Sequence, residues 1–296
     1  MTGTHLPAPA RHASGPAGQR ETRFRVGVVL VVTVLTTGCG GGAPLLHPAR
    51  TLPSGDVRAA GGVSAHVVPG SMGEDLRRAR EIAARDVTGT TAPGEPGTNP
   101  DYAKGALVTA AVAPGLAPFV GARVGIGNAF EGGLAYTGRG VRADMRRSFD
   151  DGNFSLSLGL GASASLYGRQ QGSDLPNVDL GALRGYGADI PILAGWQSAS
   201  GLYSLWLGPR GGFEWVALEQ LTSEPKSVTI GTPPIRLEAT RWHAGGVVGV
   251  ATGFNHVHVA LEAGIAYQVV NGTYNANEVT VRGLTITPAS AIWWTF

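Results

Sequence analysis

The chain has 296 residues, and its 23 Lys and Arg nearly balance its 21 Asp and Glu. This balance, together with basic residues that do not cluster with aromatic ones, excludes a nucleic-acid-binding surface. Gly contributes 46 residues that are spread through alternating segments, which excludes collagen and plain disorder. The single cysteine excludes an internal disulfide and a thiolate-rich metal site.

The first predicted element is an export signal over residues 1–39. Basic residues precede the apolar run Val26–Leu35, which is too short for a membrane-spanning helix. Cys39 follows after three small residues. This arrangement resembles the signal of bacterial lipoproteins, and the resemblance implies that Cys39 carries a lipid. An ordinary secretory signal is the alternative.

Residues 40–103 are rich in Gly, Ala, Pro and Thr, which predicts a mostly unstructured, flexible linker on the periplasmic side. Within it, residues 74–86 contain helix formers and place Leu76, Ala79 and Ala83 on one side. Because this apolar stripe is thin, we expect a short, solvated helix rather than one that binds a partner.

The remaining residues, 104–296, carry the period of two that predicts β-strands. In Phe154–Leu166 every even-numbered residue is apolar and every odd-numbered residue is Gly or Ser, so one face is apolar and the other polar. The same alternation recurs along the chain from Pro118 to the C-terminus. It changes phase once within Leu134–Met145, which we interpret as a β-bulge near Gly138.

The alternating segments predict an all-β fold of about eight antiparallel strands. A further apolar segment, Ala106–Val112, would give ten strands if it also had a partner. The connections near residues 169–183, 221–235 and 271–278 are long and polar, whereas the others are short. Short turns at one end and long loops at the other are typical of outer-membrane barrels.

Aromatic residues on the apolar face gather near the two ends of the predicted strands. Two such rings mark the two water–lipid boundaries of a membrane, because amphipathic rings prefer that position. The predicted interface residues are Tyr136, Phe149, Phe154, Tyr186, Trp196, Tyr203, Trp215, Trp242, Tyr267 and Trp294.

The chain ends with Ile292, Trp294 and Phe296 at alternate positions. This ending resembles the C-terminal assembly signal of bacterial outer-membrane β-barrel proteins, which usually finish in Phe. The resemblance implies insertion into the outer membrane of a Gram-negative bacterium by the barrel-assembly machinery, among outer-membrane lipids. Strands exposed to lipid cannot leave backbone groups unpaired, so we expect the sheet to close into a transmembrane β-barrel.

Charged residues fall on the opposite face of the predicted strands, which would line the lumen. The Phe149–Phe154 turn predicts a register in which Asp144 faces Gly159, so that small residues leave room for long ones. Because unpaired charges in a narrow lumen would be costly, we predict an internal ion-pair and hydrogen-bond network. Its members are Arg123, Arg142, Asp144, Arg146, Arg210, Glu214, Arg241 and Glu262.

The sequence contains no recognisable nucleophile, phosphate-binding or zinc-protease motif. His243, His256 and His258 lie too far apart in the predicted register to share a metal ion, so we expect no metal, cofactor or enzymatic activity. The predicted role is structural or surface-binding, through long extracellular loops and a filled lumen. The alternatives are a narrow channel for small solutes, a lipid-modifying enzyme using His243 with Ser223 or Glu224, and a soluble lipocalin-like carrier.

Overall fold

The computed structural model describes residues 42–87, 99–166, 175, 183–219, 236–275 and 277–296. Within this part of the chain, ten antiparallel strands close into a barrel in which neighbours in sequence pair and the first strand pairs with the last. The strands are β1 (Val57–His66), β2 (Gly115–Gly127), β3 (Phe130–Tyr136), β4 (Gly140–Asp151), β5 (Phe154–Ser165), β6 (Leu183–Gln197), β7 (Tyr203–Glu219), β8 (Arg236–Phe254), β9 (Val257–Tyr274) and β10 (Asn277–Thr295).

Helices occupy the connection between β1 and β2. They are α1 (Ser71–Val87), α2 (Pro100–Leu107) and a π-helical turn (Val108–Val112) that continues directly from α2. No helix in the described residues is both long and apolar enough to cross a membrane.

The two ends of the barrel differ in their connections. At one end, which we call the short-turn rim, β2–β3, β4–β5, β6–β7 and β8–β9 are joined by tight turns. The start of β1 and the C-terminus also meet there, because the Val57 amide donates to the Phe296 carbonyl. The opposite end, the long-connection rim, contains the helical β1–β2 connection and the β5–β6 and β7–β8 connections.

The strands place apolar side chains outside and charged ones inside. In β5, Leu156, Leu158 and Leu160 are 51%, 52% and 61% exposed. In the neighbouring β4, Arg142 and Arg146 are only 3% and 2% exposed. The orientation predicted from the alternation is therefore confirmed, and it is opposite to that of a water-soluble carrier barrel.

The lumen at the long-connection rim is filled by the helices. Their apolar faces pack against inward residues at the ends of β6 to β10, so the thin stripe of Leu76, Ala79 and Ala83 on α1 is buried. The prediction that this helix is solvated was wrong. A thin stripe with two alanines is compatible with burial here, because small side chains let the helix fit inside the barrel.

The lumen toward the short-turn rim is filled by residues 42–56, which we call the N-terminal plug. Leu45, Leu46 and Ala49 form an apolar cluster with the buried Trp206 and Trp293 of the barrel wall. The plug then leads into β1. Residues 42–66 thus belong to the barrel rather than to a flexible linker.

The predicted count of eight strands was wrong, and the alternative of ten was right for a different reason. One additional strand is β1, whose small residues pair with both β2 and β10. The other arises because Leu134–Met145 is the β3–β4 hairpin, with Tyr136 opposite Val141, rather than one bulged strand. A bulge and a turn shift the alternation in the same way. Ala106–Val112, the proposed further strand, is helical and buried in the lumen.

Two predicted connections also differ from the structure. The β9–β10 connection, expected to be long, is tight, because Tyr274 pairs with Asn277. The β4–β5 turn is shorter than predicted, with Asp151 rather than Phe149 opposite Phe154. The export signal with Cys39, and most of the other two long connections, lie outside the described residues.

Closure of the barrel depends on close approach between β1 and β10. Gly62 lies opposite Ala291, and a Cβ at Gly62 would lie 2.0 Å from the Ser290 carbonyl oxygen. At the adjacent Gly61 no atom lies within 4 Å of such a Cβ. Only the first of these two glycines is required by packing.

We predict that Gly62→Ala lowers the free energy of unfolding by about 1–3 kcal/mol, because the closing strands must separate to admit the methyl group. Gly61→Ala is the matched control and should unfold as the wild type does. Urea titration of the purified barrel in detergent, followed by tryptophan fluorescence, measures both. Equal stability of the two variants would contradict the closure described here.

Candidate functional site

The inner wall carries a buried ion-pair network that begins on β2 to β4. Arg123 pairs with both Glu131 and Asp144. Arg146 lies 2.9 Å from the second oxygen of Glu131, and both side chains are almost completely buried. Each carboxylate therefore contacts guanidinium groups, which offsets the cost of removing these charges from water.

The network continues around the barrel to β6 and β7. Asp189 accepts hydrogen bonds from Arg142 Nε at 2.9 Å and from Arg210 Nε at 2.8 Å. Arg142 also pairs with Asp144, which links this half of the network to the first. Asp189 thus holds two arginines from different strands in fixed positions.

The eight residues predicted for the network all lie on the inner wall. Arg241 and Glu214 pair across β7 and β8, and Glu262 binds the plug instead of a cation. The structure adds Glu131 and Asp189, which the prediction missed. Asp189 had the inward phase of β6, so its signal was readable. The Gly residues that follow Glu131 hid the phase of β3.

The register of β4 and β5 differs by two residues from the prediction. Asp144 lies opposite Gly161, and Gly159 lies opposite Arg146. The two-residue turn at Gly152, which has a positive φ of 54°, causes this shift. A shift of two preserves which face each residue occupies, so small residues still lie beside the arginines.

Glu262 anchors the N-terminal plug through its backbone. Its buried carboxylate accepts hydrogen bonds from the Leu45 amide at 2.7 Å, the Leu46 amide at 2.8 Å and Trp206 Nε1 at 3.0 Å. Within the described residues no Lys or Arg forms a salt bridge with it. Three neutral donors therefore satisfy this carboxylate, and two of them belong to the plug.

The charged network binds the rest of the plug in the same way. Glu131 accepts a hydrogen bond from the Leu52 amide at 2.8 Å. Arg146 donates to the carbonyl groups of Pro48, Ala49 and Arg50. The inner wall thus supplies both acceptors and donors to a segment that has no regular secondary structure and cannot satisfy its own backbone.

A cavity of about 120 Å³ remains inside the barrel. Residues of the N-terminal plug and of the π-helical turn line it, and its wall includes Arg142, Asp189, Arg210 and Glu262. Its lining combines these charged side chains with apolar groups from both fillings of the lumen.

The predicted interface aromatics lie on the outer surface near the rims. Eight of the ten are exposed, while Tyr136 and Trp215 are half-buried. Trp215 stacks on Tyr186 with a centroid distance of 6.1 Å and donates from Nε1 to Glu238. Ile292, Trp294 and Phe296 also point outward, at 59%, 49% and 67% exposure.

His243, His256 and His258 lie apart from one another in the structure. His243 lines the lumenal cavity, His258 contacts the Gly201 carbonyl near the short-turn rim, and His256 lies in the β8–β9 turn. No group of three His, Cys, Asp or Glu suited to a metal is found in the part of the chain that the structure describes. Ser223 and Glu224 lie outside that part.

No protein-family model matches the sequence, and no curated protein matches it. Among solved structures, Neisserial surface protein A matches with 11% identity and a TM-score of 0.31, over 81% of this chain and 96% of that one. A major outer membrane protein from Thermus thermophilus matches with 10% identity and a TM-score of 0.31, over 81% and 99%. The CymD monoaromatic hydrocarbon channel matches with 7% identity and a TM-score of 0.23, over 83% and 89%. With TM-scores of this size, the fold assignment rests on the strand pairing of the chain itself.

We predict that Glu262→Ala lowers the free energy of unfolding by about 3 kcal/mol, because three buried donors lose their acceptor. Glu278→Ala, at an exposed position on β10, is the control and should change stability little. Urea titration measures the stability, and the combined tryptophan emission should shift to the red as water reaches Trp206 beside the plug. An unchanged stability in Glu262→Ala would show that the plug is not held by this carboxylate.

Proposed function

We propose that this chain is a plugged outer-membrane β-barrel that acts as a structural or surface-binding protein rather than as an enzyme or a channel. The observation that carries the proposal is the combination of an apolar outer wall with a charged lumen filled by the chain itself. Three features support it: the solvent suited to the outer wall, the orientation of the barrel and the state of its lumen.

The outer wall is suited to hydrocarbon rather than to water. Large apolar side chains such as Leu116 and Phe154, which are 69% and 67% exposed, recur on the outer face around the barrel. Apolar side chains around a whole barrel would be unusual on a soluble protein, whose largest apolar patch typically covers roughly 300–600 Å². From Tyr186 to Trp196 the outward residues run for about ten positions, the length that a tilted strand needs to cross a bilayer.

The connections support an orientation with the short-turn rim in the periplasm. Single-chain outer-membrane barrels have short periplasmic turns, longer extracellular loops and an even number of strands. The β5–β6 and β7–β8 connections would then start and end at the exterior rim, where loops provide binding specificity. These two connections are the proposed surface-binding region.

The position of Gly42 bears on the predicted lipid at Cys39. Gly42 is buried inside the lumen, where its neighbours are His66 and Thr287. Three residues span at most about 11 Å. A lipid on Cys39 would have to leave the lumen within that reach, whereas an ordinary secretory signal makes no such demand. The lumenal position of Gly42 favours the secretory alternative.

The filled lumen argues against the channel alternative. The N-terminal plug occupies the half near the short-turn rim, and α1, α2 and the π-helical turn occupy the other half. Arg142 and Arg210 are paired with Asp189, and Arg146 is bound to the plug, so these arginines do not line an open path for anions. A conducting path would need one of these fillings to leave.

We predict that the purified protein, reconstituted in planar lipid bilayers, produces no stable conductance steps, because both halves of the lumen are occupied. A general porin prepared in the same detergent is the control and should produce steps under identical conditions. Reproducible, ohmic conductance from the wild-type chain would reject the plugged barrel in favour of a channel.

A further inference from the structure

The lumenal cavity is bounded by charged and polar groups from several parts of the chain. Gly42–Pro44 of the N-terminal plug and Ala111 and Val112 of the π-helical turn both line it. Strands β6 to β9 contribute most of the wall, and the β3–β4 turn adds Arg139. The cavity is therefore assembled only when both fillings of the lumen are in place.

The carboxylates of the cavity wall are already satisfied by protein groups. Asp189 accepts from two arginines, Glu214 accepts from Arg241, and Glu262 accepts from two plug amides and Trp206. Both oxygens of Asp189 and Glu262 are therefore occupied, and the charge of Glu214 is paired with Arg241.

The unused hydrogen-bonding capacity of the wall includes the Nε–H groups of two arginines, which can only donate. The unused histidine Nδ1 atoms donate or accept according to the tautomer. Nε of Arg139, Nε of Arg241, Nδ1 of His66 and Nδ1 of His243 are buried without a hydrogen-bond partner, whereas Oε1 of Gln268 is the matching acceptor. All five residues line the cavity. His66 is 5% exposed and Gln268 is 3% exposed, so bulk water does not reach these groups from outside the barrel.

Arg139 also lacks a negative partner. Its guanidinium donates to the Ala110 carbonyl, and no carboxylate within the described residues lies within ion-pair distance of it. Arg139 is partly buried, and a guanidinium withdrawn from water without a counter-charge is costly. An anion in the cavity would supply that charge, and it would also accept hydrogen bonds from the unused N–H groups.

We propose that this cavity binds a small inorganic oxyanion of the size of phosphate. Arg139 and Arg241 provide the charged donors, because guanidinium groups bind oxyanions through directed hydrogen bonds. His66 and His243 provide further ring nitrogens, and the amide of Gln268 accepts from a protonated anion oxygen. A volume of about 120 Å³ admits an anion of a few heavy atoms with associated water and excludes a nucleotide. This site is independent of the proposed location in a membrane.

The test is equilibrium dialysis with radiolabelled inorganic phosphate at low ionic strength. The protein is folded into detergent in the presence of phosphate, so that entry into the closed lumen does not limit occupancy. Wild-type protein should bind phosphate saturably, at roughly one per chain. Arg139→Gln and Arg241→Gln should each weaken binding about tenfold or more, which is the effect of losing one charge-assisted hydrogen bond.

Arg147→Gln is the matched control, because Arg147 lies on the outer surface beside the rings of Phe130 and Phe149. It should bind phosphate as the wild type does. The heat-dependent shift of the folded barrel in gel electrophoresis verifies folding of each variant, and Arg139→Gln suffices if Arg241→Gln does not fold. Absence of saturable binding in the wild type, or equal binding by Arg139→Gln, would overturn the proposal and indicate a cavity that holds water only.

Discussion

Closure of the sheet is the constraint on which the rest of this structure depends. Once β1 pairs with β10, every strand has two neighbours, and no backbone edge is left on the outer wall. The outer wall can then be largely apolar, which the proposed hydrocarbon surrounding requires. The polar residues of each strand have only the lumen to occupy, so their charges must be neutralised inside it.

The N-terminal plug takes part in filling the lumen and in pairing its polar groups. The lumen of a ten-stranded barrel is too wide to be filled by the inward side chains of the strands alone. The helices and the N-terminal plug fill the remaining space. The wall binds the plug mainly through backbone groups, with Glu262 and Glu131 accepting amides and Arg146 donating to carbonyls. The ion-pair network thus has two structural roles, since it neutralises the lumen and holds the plug.

The period of two was enough to predict which side of each long strand faces outward and which charged residues meet in the lumen. It failed where the sequence lacks contrast between the two faces. In β1 the residues of both faces are mostly Ala, Gly, Val and Ser, so the strand resembles a linker. The N-terminal plug has no periodicity at all, because the wall recognises its backbone rather than a pattern of side chains.

Other errors arose where two structures produce the same pattern. A bulge and a hairpin with four residues between the paired Tyr136 and Val141 both reverse the phase at Gly138, and only pairing partners distinguish them. The apolar segment Ala106–Val112 is equally compatible with a buried strand and with a buried helix, since periodicity alone does not separate the two.

The orientation of the barrel wall is the central claim, and quenching of tryptophan by brominated lipids tests it most directly. Two variants would each retain one tryptophan, either Trp242 on the outer face or Trp206 in the lumen, which are 57% and 0% exposed. In bilayers of brominated lipid the emission of Trp242 should be strongly quenched and that of Trp206 should remain nearly unchanged. Equal quenching of both, or quenching of Trp206 alone, would contradict an apolar wall that faces lipid around a filled lumen.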